Sequence, residues 1–191
     1  MRLPIFTDRI PAPGASAWLR GALLLIAGSL MLSQQAFAQY REYEVKAAFL
    51  ANFAQFTKWP GAAFSDANAP FAIGVLGDDP FGGALESIVK GQLVAGRKIV
   101  VRRARRPEDM RSCQIVFISN SERARVGEIV SSFQMASILT VGETDQFVSQ
   151  GGMVGFFMEG DKVRFAINHG TARRSGLEVS SRLIKLAKVT P

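Results

Sequence analysis

Three loops of this chain combine small and hydroxyl-bearing residues with main-chain N–H groups that are free to bind a ligand. They cover 77–81, 119–122 and 142–144, and each follows an apolar run typical of a buried strand. In an open parallel sheet such loops gather in one crevice at the carboxyl ends of the strands, where free amides bind anions. The pattern predicts a site for a small polar or anionic ligand, although the same serines and aspartate are equally suited to cap the following helices. The predicted site residues are Gly77, Asp78, Ser119, Ser121 and Gly142.

A run of four arginines follows the second strand-like segment. The four are Arg102, Arg103, Arg105 and Arg106. No aromatic residues are interleaved with them, so the run does not indicate a nucleic-acid surface. Two interpretations remain, a solvated sheet edge and a docking surface for an acidic partner.

The chain has few residues of the types that usually carry catalysis or bind metals. Its only histidine is His169 and its only cysteine is Cys113, so the His/Cys ligand sets that specify zinc cannot be built. The sequence contains no Gly-x-Ser-x-Gly motif and no phosphate loop, and its glycines miss the spacing of the dinucleotide fingerprint. We therefore predict a protein that is not an enzyme and that has no cofactor and no metal. Cys113 lies beside an apolar run, which predicts a buried or half-buried thiol, with a reactive or intermolecular role as the alternative.

The elements that position these loops alternate between strand and helix. Continuous apolar runs predict strands, and residues with helical spacing separate them, which favours a mostly parallel sheet covered by helices on both faces. The fold class is therefore α/β and Rossmann-like. Predicted strands cover 71–76, 98–102, 114–118 and 137–141, and predicted helices cover 84–90 and 122–133.

The first helix is predicted over 42–59, where Pro60 ends it. Its apolar stripe is expected to pack on the sheet. The stripe consists of Val45, Ala48, Phe49, Phe53, Phe56 and Trp59. The residues expected in the core are Phe49, Phe53, Ile73, Val75, Val116, Phe117, Leu139 and Val141.

The end of the chain departs from the alternation of strand and helix. Two apolar segments, 153–158 and 163–167, flank a Gly-Asp turn and predict a hairpin at one edge of the sheet. An amphipathic helix over 172–189 is then expected to close the domain.

Residues 1–38 have the pattern of a secretory signal peptide. Arg20 precedes an apolar run of about 12 residues, which is shorter than the roughly 20 residues that a membrane-spanning helix needs. Cleavage is expected after Ala38, and an uncleaved N-terminal anchor is the alternative. The mature domain would then cover 39–191, and its single cysteine excludes an intramolecular disulfide.

Several segments of the mature chain, in their order and spacing, resemble the YfiR family, which is built on a domain of unknown function. They are 44–60, 73–82, 118–122, 139–142, 151–153 and 176–183. The resemblance implies a periplasmic α/β domain that represses a membrane-bound diguanylate cyclase, with an outer-membrane lipoprotein that relieves the repression. The family implies no catalytic residues. Characterised relatives use cysteine pairs, so their redox control does not transfer to a chain with Cys113 alone.

The sequence therefore predicts a non-catalytic periplasmic regulator that binds the periplasmic domain of an inner-membrane diguanylate cyclase, lowering cyclic di-GMP and biofilm formation. An outer-membrane lipoprotein and a second copy of the chain are further expected partners, and nucleic acid is not. The alternative is a periplasmic solute-binding module whose ligand enters the predicted crevice and which serves a transport or receptor system.

Overall fold

The computed structural model describes residues 39–190 of the chain. Residues 41–190 belong to one compact unit. The predicted signal peptide, residues 1–38, lies outside the described residues. Within the described part, no helix combines the length and the apolar character needed to span a bilayer.

Within the described residues, ten strands form two sheets. Eight of them lie in one sheet with the order β10-β8-β7-β6-β5-β2-β4-β3, and β1 pairs with β9 in a separate two-stranded sheet. The strands are β1 (Thr57–Lys58), β2 (Phe71–Leu76), β3 (Leu93–Val94), β4 (Arg97–Ala104), β5 (Ile115–Ile118), β6 (Leu139–Gly142), β7 (Val154–Glu159), β8 (Lys162–Asn168), β9 (Glu178–Val179) and β10 (Lys188–Thr190).

The large sheet is mixed rather than purely parallel. The five neighbours β4, β2, β5, β6 and β7 are parallel, as was predicted for β2, β4, β5 and β6. The pairs β3–β4 and β7–β8 are antiparallel. The β7–β8 hairpin is confirmed, but its position at the sheet edge was wrong, because β10 pairs in parallel with β8 and lies outside it.

Helices cover both faces of the large sheet. Buried residues of α1, α2, α4 and α5 form one apolar cluster with the strands, and those of α3 form a second cluster with alternate strand residues. Within β2, Ile73 belongs to the first cluster and Ala72 to the second, as the period of two requires. The helices are α1 (39–56), α2 (Ala84–Val89), α3 (Val126–Ser132), α4 (His169–Arg174) and α5 (Ser181–Leu186).

The first helix ends earlier and faces the sheet with a different stripe than predicted. It ends at residue 56 because Thr57 pairs with Val179 of β9. Val45 and Ala48 of the predicted stripe are exposed. Phe53 is fully buried, with its ring 5.1 Å from that of Phe165. The inward side of α1 also contains Ala47, Leu50, Ala51 and Ala54.

The predicted core is otherwise confirmed. Seven of its eight members are completely buried, and Phe49 is half-buried, stacked on Phe53. The buried seven are Phe53, Ile73, Val75, Val116, Phe117, Leu139 and Val141.

The prediction of a single closing helix over 172–189 was wrong. Gly176 takes a φ of +76°, the left-handed conformation in which helices commonly end, and it follows Ser175, the C-cap residue of α4. β9 then pairs with β1. A new helix, α5, begins where the Ser180 hydroxyl accepts a hydrogen bond from the Leu183 N–H at 3.3 Å.

Candidate functional site

The loops after β2 and β5 meet at the carboxyl edge of the sheet. The Asp78 N–H donates to the Ser121 hydroxyl at 2.9 Å, and the Ser119 hydroxyl accepts from the Ser121 N–H at 3.5 Å as a helix cap. A Cβ added at Gly77 would lie 2.5 Å from the Ser121 hydroxyl oxygen. Four of the five predicted ligand residues therefore come together, and Asp78, Ser119 and Ser121 are linked by hydrogen bonds. Binding of a ligand there stays a prediction.

Gly142, the fifth predicted residue, lies at the end of β6 and has a packing role. A Cβ at Gly142 or at Gly152 would overlap the ring of Phe147, which is fully buried between them. These two glycines hold the segment that connects β6 to β7 close to the sheet. The loop that follows Gly142 faces a cavity rather than the Asp78–Ser121 contact.

This cavity of about 670 Å³ lies above the carboxyl ends of β5 and β6. Its size is within the range of small-ligand pockets. Residues from the start of α1, from the loops after β5 and β6, and from β7 surround it. The lining residues are Glu42, Tyr43, Lys46, Asn120, Arg123, Glu143, Thr144, Asp145, Phe156, Phe157 and Met158.

A buried ion cluster forms one wall of the cavity. Lys46 is only 4% exposed, and its Nζ lies 2.5 Å from Glu42 Oε1 and 2.6 Å from Glu143 Oε2. The Tyr43 hydroxyl donates to Glu143 Oε1 at 3.2 Å, and the Lys46 Nζ lies 4.5 Å from the centre of the Tyr43 ring. Burial, and then the charge of Glu143, raise the pKa of Tyr43 well above its usual range, so this hydroxyl stays neutral.

Sequence reasoning missed this cluster. Glu42 and Lys46 stand four apart on α1, which is a helical ion-pair spacing, but that spacing is common on solvated helices. Glu143 lies 97 residues from Lys46, and only the fold brings them together. Both carboxylates contact Lys46, so the cluster ties the start of α1 to the end of β6.

Other polar groups in the cavity have no such partner. The Thr144 hydroxyl oxygen is buried and has no hydrogen-bond partner within residues 39–190. Among the described residues, Arg123 and Asp145 form neither an ion pair nor a side-chain hydrogen bond. The cavity can therefore offer hydrogen bonds and one charge of each sign to whatever enters it.

The predicted arginine surface lies on the other side of β2, along β4 and the turn after it. All four guanidinium groups contact this chain. Arg103 bonds Asp79 at 2.7 Å and also pairs with Glu86, whose hydrogen bond raises the pKa of Arg103. Arg105 pairs with Asp78 at 2.8 Å, which joins the two predicted sites. Arg102 donates to Ser112, and Arg106 pairs with Asp109. A partner contact at these arginines stays a prediction.

The single thiol is part of the core. Cys113 is buried with its Sγ 3.8 Å from Met110 Sδ, which confirms the expected burial. Burial raises the pKa of this thiol to about 11, although the charge of Arg102 opposes the shift. The thiolate is therefore scarce at neutral pH. Within residues 39–190, no three His, Cys, Asp or Glu side chains are grouped as a metal site would require.

Solved structures with limited similarity to this chain include two that illustrate the level of similarity. One is a conserved domain protein from Vibrio cholerae O1 biovar eltor str. N16961, with 13% identity and a TM-score of 0.47, covering 63% of this chain and 54% of that chain. The other is the ABC domain in complex with L-Trp from Streptococcus pneumonia, with 13% identity and a TM-score of 0.45, covering 62% of this chain and 54% of that chain. This chain thus spans just over half the length of each.

No protein with curated annotation matches the sequence significantly. A family model, however, matches residues 43–188, from the ion cluster at the start of α1 to the first residue of β10. That range includes the whole cavity wall apart from Glu42. Because the match covers most of the sequence, the chain belongs to the YfiR/HmsC-like family.

Proposed function

We propose that this protein is a non-catalytic periplasmic regulator that represses an inner-membrane diguanylate cyclase by binding its periplasmic domain. The observation that supports the proposal is the family match over 43–188. Repression lowers cyclic di-GMP and biofilm formation. An outer-membrane lipoprotein relieves the repression, and a homodimer is part of the same proposal.

The mechanism is differential binding. A repressor shifts a cyclase toward its inactive conformation only if it binds that conformation more tightly than the active one. Moving the cyclase from almost fully active to almost fully inactive takes a preference of about 10⁴-fold. A rigid surface suits this task, and the buried Lys46–Glu143 pair holds α1 to β6 beside the cavity.

The proposal includes export to the periplasm with removal of residues 1–38. The apolar run before Ala38 and the small residues at 36 and 38 support cleavage at that point. The mature chain would begin at Gln39.

The test is genetic. Deleting the gene should raise cellular cyclic di-GMP, measured by mass spectrometry, and deleting the partner cyclase as well should remove the increase. The wild-type gene, restored on a plasmid, is the control and should return the nucleotide to its original level. Unchanged cyclic di-GMP in the single deletion, under conditions where the protein is made, would overturn the proposal.

A solute-binding module is the second candidate. The cavity of about 670 Å³ favours it, with the buried Thr144 hydroxyl and with Arg123, which has no carboxylate partner in the part of the chain that the structure describes. In that case the deletion would change the uptake or sensing of a solute and leave cyclic di-GMP unchanged. The genetic test therefore separates the two functions.

A further inference from the structure

The β7–β8 hairpin extends past the end of its neighbour β6. β6 pairs with β7 only at Val141↔Val154 and Gly142↔Gly155. β7 continues to Glu159 and stays paired with β8 along its whole length. At about 3.4 Å per residue, the part of β7 beyond Gly155 is about 14 Å long. Among the described residues, this part has no strand beside it on the β6 side.

The register of the hairpin determines which main-chain groups face this edge. The Asn168 N–H donates to the Met153 carbonyl at 2.8 Å, so these opposite residues form a hydrogen-bonded pair. Hydrogen-bonded and non-hydrogen-bonded pairs alternate along an antiparallel ladder. Met158 and Val163, five positions further, are therefore a non-hydrogen-bonded pair. The N–H and C=O of Met158 point to the β6 side, and those of Val163 point to the opposite side of the hairpin.

The free edge of β7 faces the cavity. Phe156, Phe157 and Met158 line the cavity together with the loops after β5 and β6, which lie on that side of β7. None of the three is charged, and Met158 is 46% exposed. Proteins usually protect an open edge with charged side chains. An apolar edge beside a cavity is suited to receiving another strand.

We infer that the partner docks by adding an extended segment of its own beside β7. Such a segment lies about 4.8 Å from β7, continues the sheet over the end of β6, and bonds the N–H and C=O of Met158. The inference rests on the proposed function, which supplies the partner.

The cavity also indicates the chemistry of the docking segment. Arg123 has no carboxylate partner among the described residues, whereas Arg125 of the same turn pairs with Glu122 at 2.6 Å. The segment therefore carries an acidic side chain opposite Arg123, a basic side chain near Asp145, and apolar side chains against Phe157 and Met158. Its polar groups can also reach the buried Thr144 hydroxyl, which has no bond in this structure.

The experiment compares two proline variants of one hairpin. Met158→Pro removes the N–H that faces the cavity, and Val163→Pro removes the equivalent N–H on the opposite edge. Neither substitution removes a hydrogen bond between β7 and β8, so both variants should have closely similar Tm values. The probe is the purified periplasmic domain of the cyclase identified by the double deletion, and Kd is measured by calorimetry. Met158→Pro should weaken binding by at least about tenfold, and Val163→Pro by less than about twofold.

A second pair of variants does not depend on proline. Arg123→Gln and Arg125→Gln each remove one exposed charge from the turn after β5. Arg123→Gln should weaken binding by about three- to tenfold, with the loss shrinking at high salt, and Arg125→Gln should leave it nearly unchanged.

The outcomes separate the inference from the function on which it rests. If wild-type protein binds the domain and both proline variants bind equally well, the strand is added elsewhere or not at all, and only the inference fails. If Arg123→Gln and Arg125→Gln have equal effects on binding, the prediction of an acidic side chain opposite Arg123 is wrong. If wild-type protein does not bind the domain, the proposed function fails and the inference fails with it.

Discussion

At the scale of single residues, Lys46 has a structural role that the sequence alone does not show. It is a buried cation with two carboxylates within 2.6 Å, and Tyr43 shares one of them. Desolvating these charges costs several kcal/mol per ion, and their mutual attraction offsets that cost only while every partner is present. The cluster should therefore be sensitive to the loss of any member.

Lys46→Met should lower the free energy of unfolding by about 3–5 kcal/mol, because Glu143 is then left buried without its cation. The matched control is Lys58→Met, which removes the Lys58–Glu178 pair. That pair is 3.6 Å long and its Lys58 side chain is 83% exposed, so the change should stay below about 1 kcal/mol. Urea denaturation measures both, and equal losses would contradict a structural role for the buried cluster.

At the scale of elements, patterns within one segment were more informative than contacts between segments. The strands β2, β5 and β6 were readable because each is a largely apolar run. The caps that divide the C-terminal region were also present in the sequence, as Gly176 and Ser180, but the helical spacing of its apolar residues concealed them. The early end of α1 was not readable, because Thr57 pairs with a residue 122 positions away, Val179.

The connection between β6 and β7 depends on the packing of Phe147 between two glycines. Gly142→Ala should lower the free energy of unfolding by about 1–3 kcal/mol, because a methyl group at Gly142 overlaps that ring. Gly127→Ala is the control, since Gly127 lies in α3 with open space around its Cα. There alanine should be neutral or stabilising by up to about 1 kcal/mol. Thermal unfolding compares the two, and a harmless Gly142→Ala would show that the ring can move aside.

At the scale of the whole molecule, the candidate site is a product of strand length and order. The sequence predicted the loops that gather at the carboxyl edge, and Gly77, Asp78, Ser119 and Ser121 do meet there. The sequence could not predict the cavity, which exists because β7 extends four residues beyond its last pair with β6. This difference in strand length depends on the tertiary structure, since no local sequence pattern predicts where a neighbouring strand ends.

The stability of the fold should also vary across the molecule. Every residue of β2 and β5 is buried between two helical layers, whereas α5 buries only Leu183 and β10 has a single neighbouring strand. Local opening is easiest where few apolar contacts are lost. In hydrogen exchange followed by mass spectrometry, amides of β2, β5 and β6 should exchange only through global unfolding. Those of 181–190 should exchange at least about 100-fold faster. Denaturant at low concentration should leave the exchange rate of 181–190 almost unchanged. It should steeply increase the exchange rate of the central strands, because only global unfolding exposes a large surface. Equal protection of both regions would mean that the C-terminal elements unfold together with the sheet as one cooperative unit.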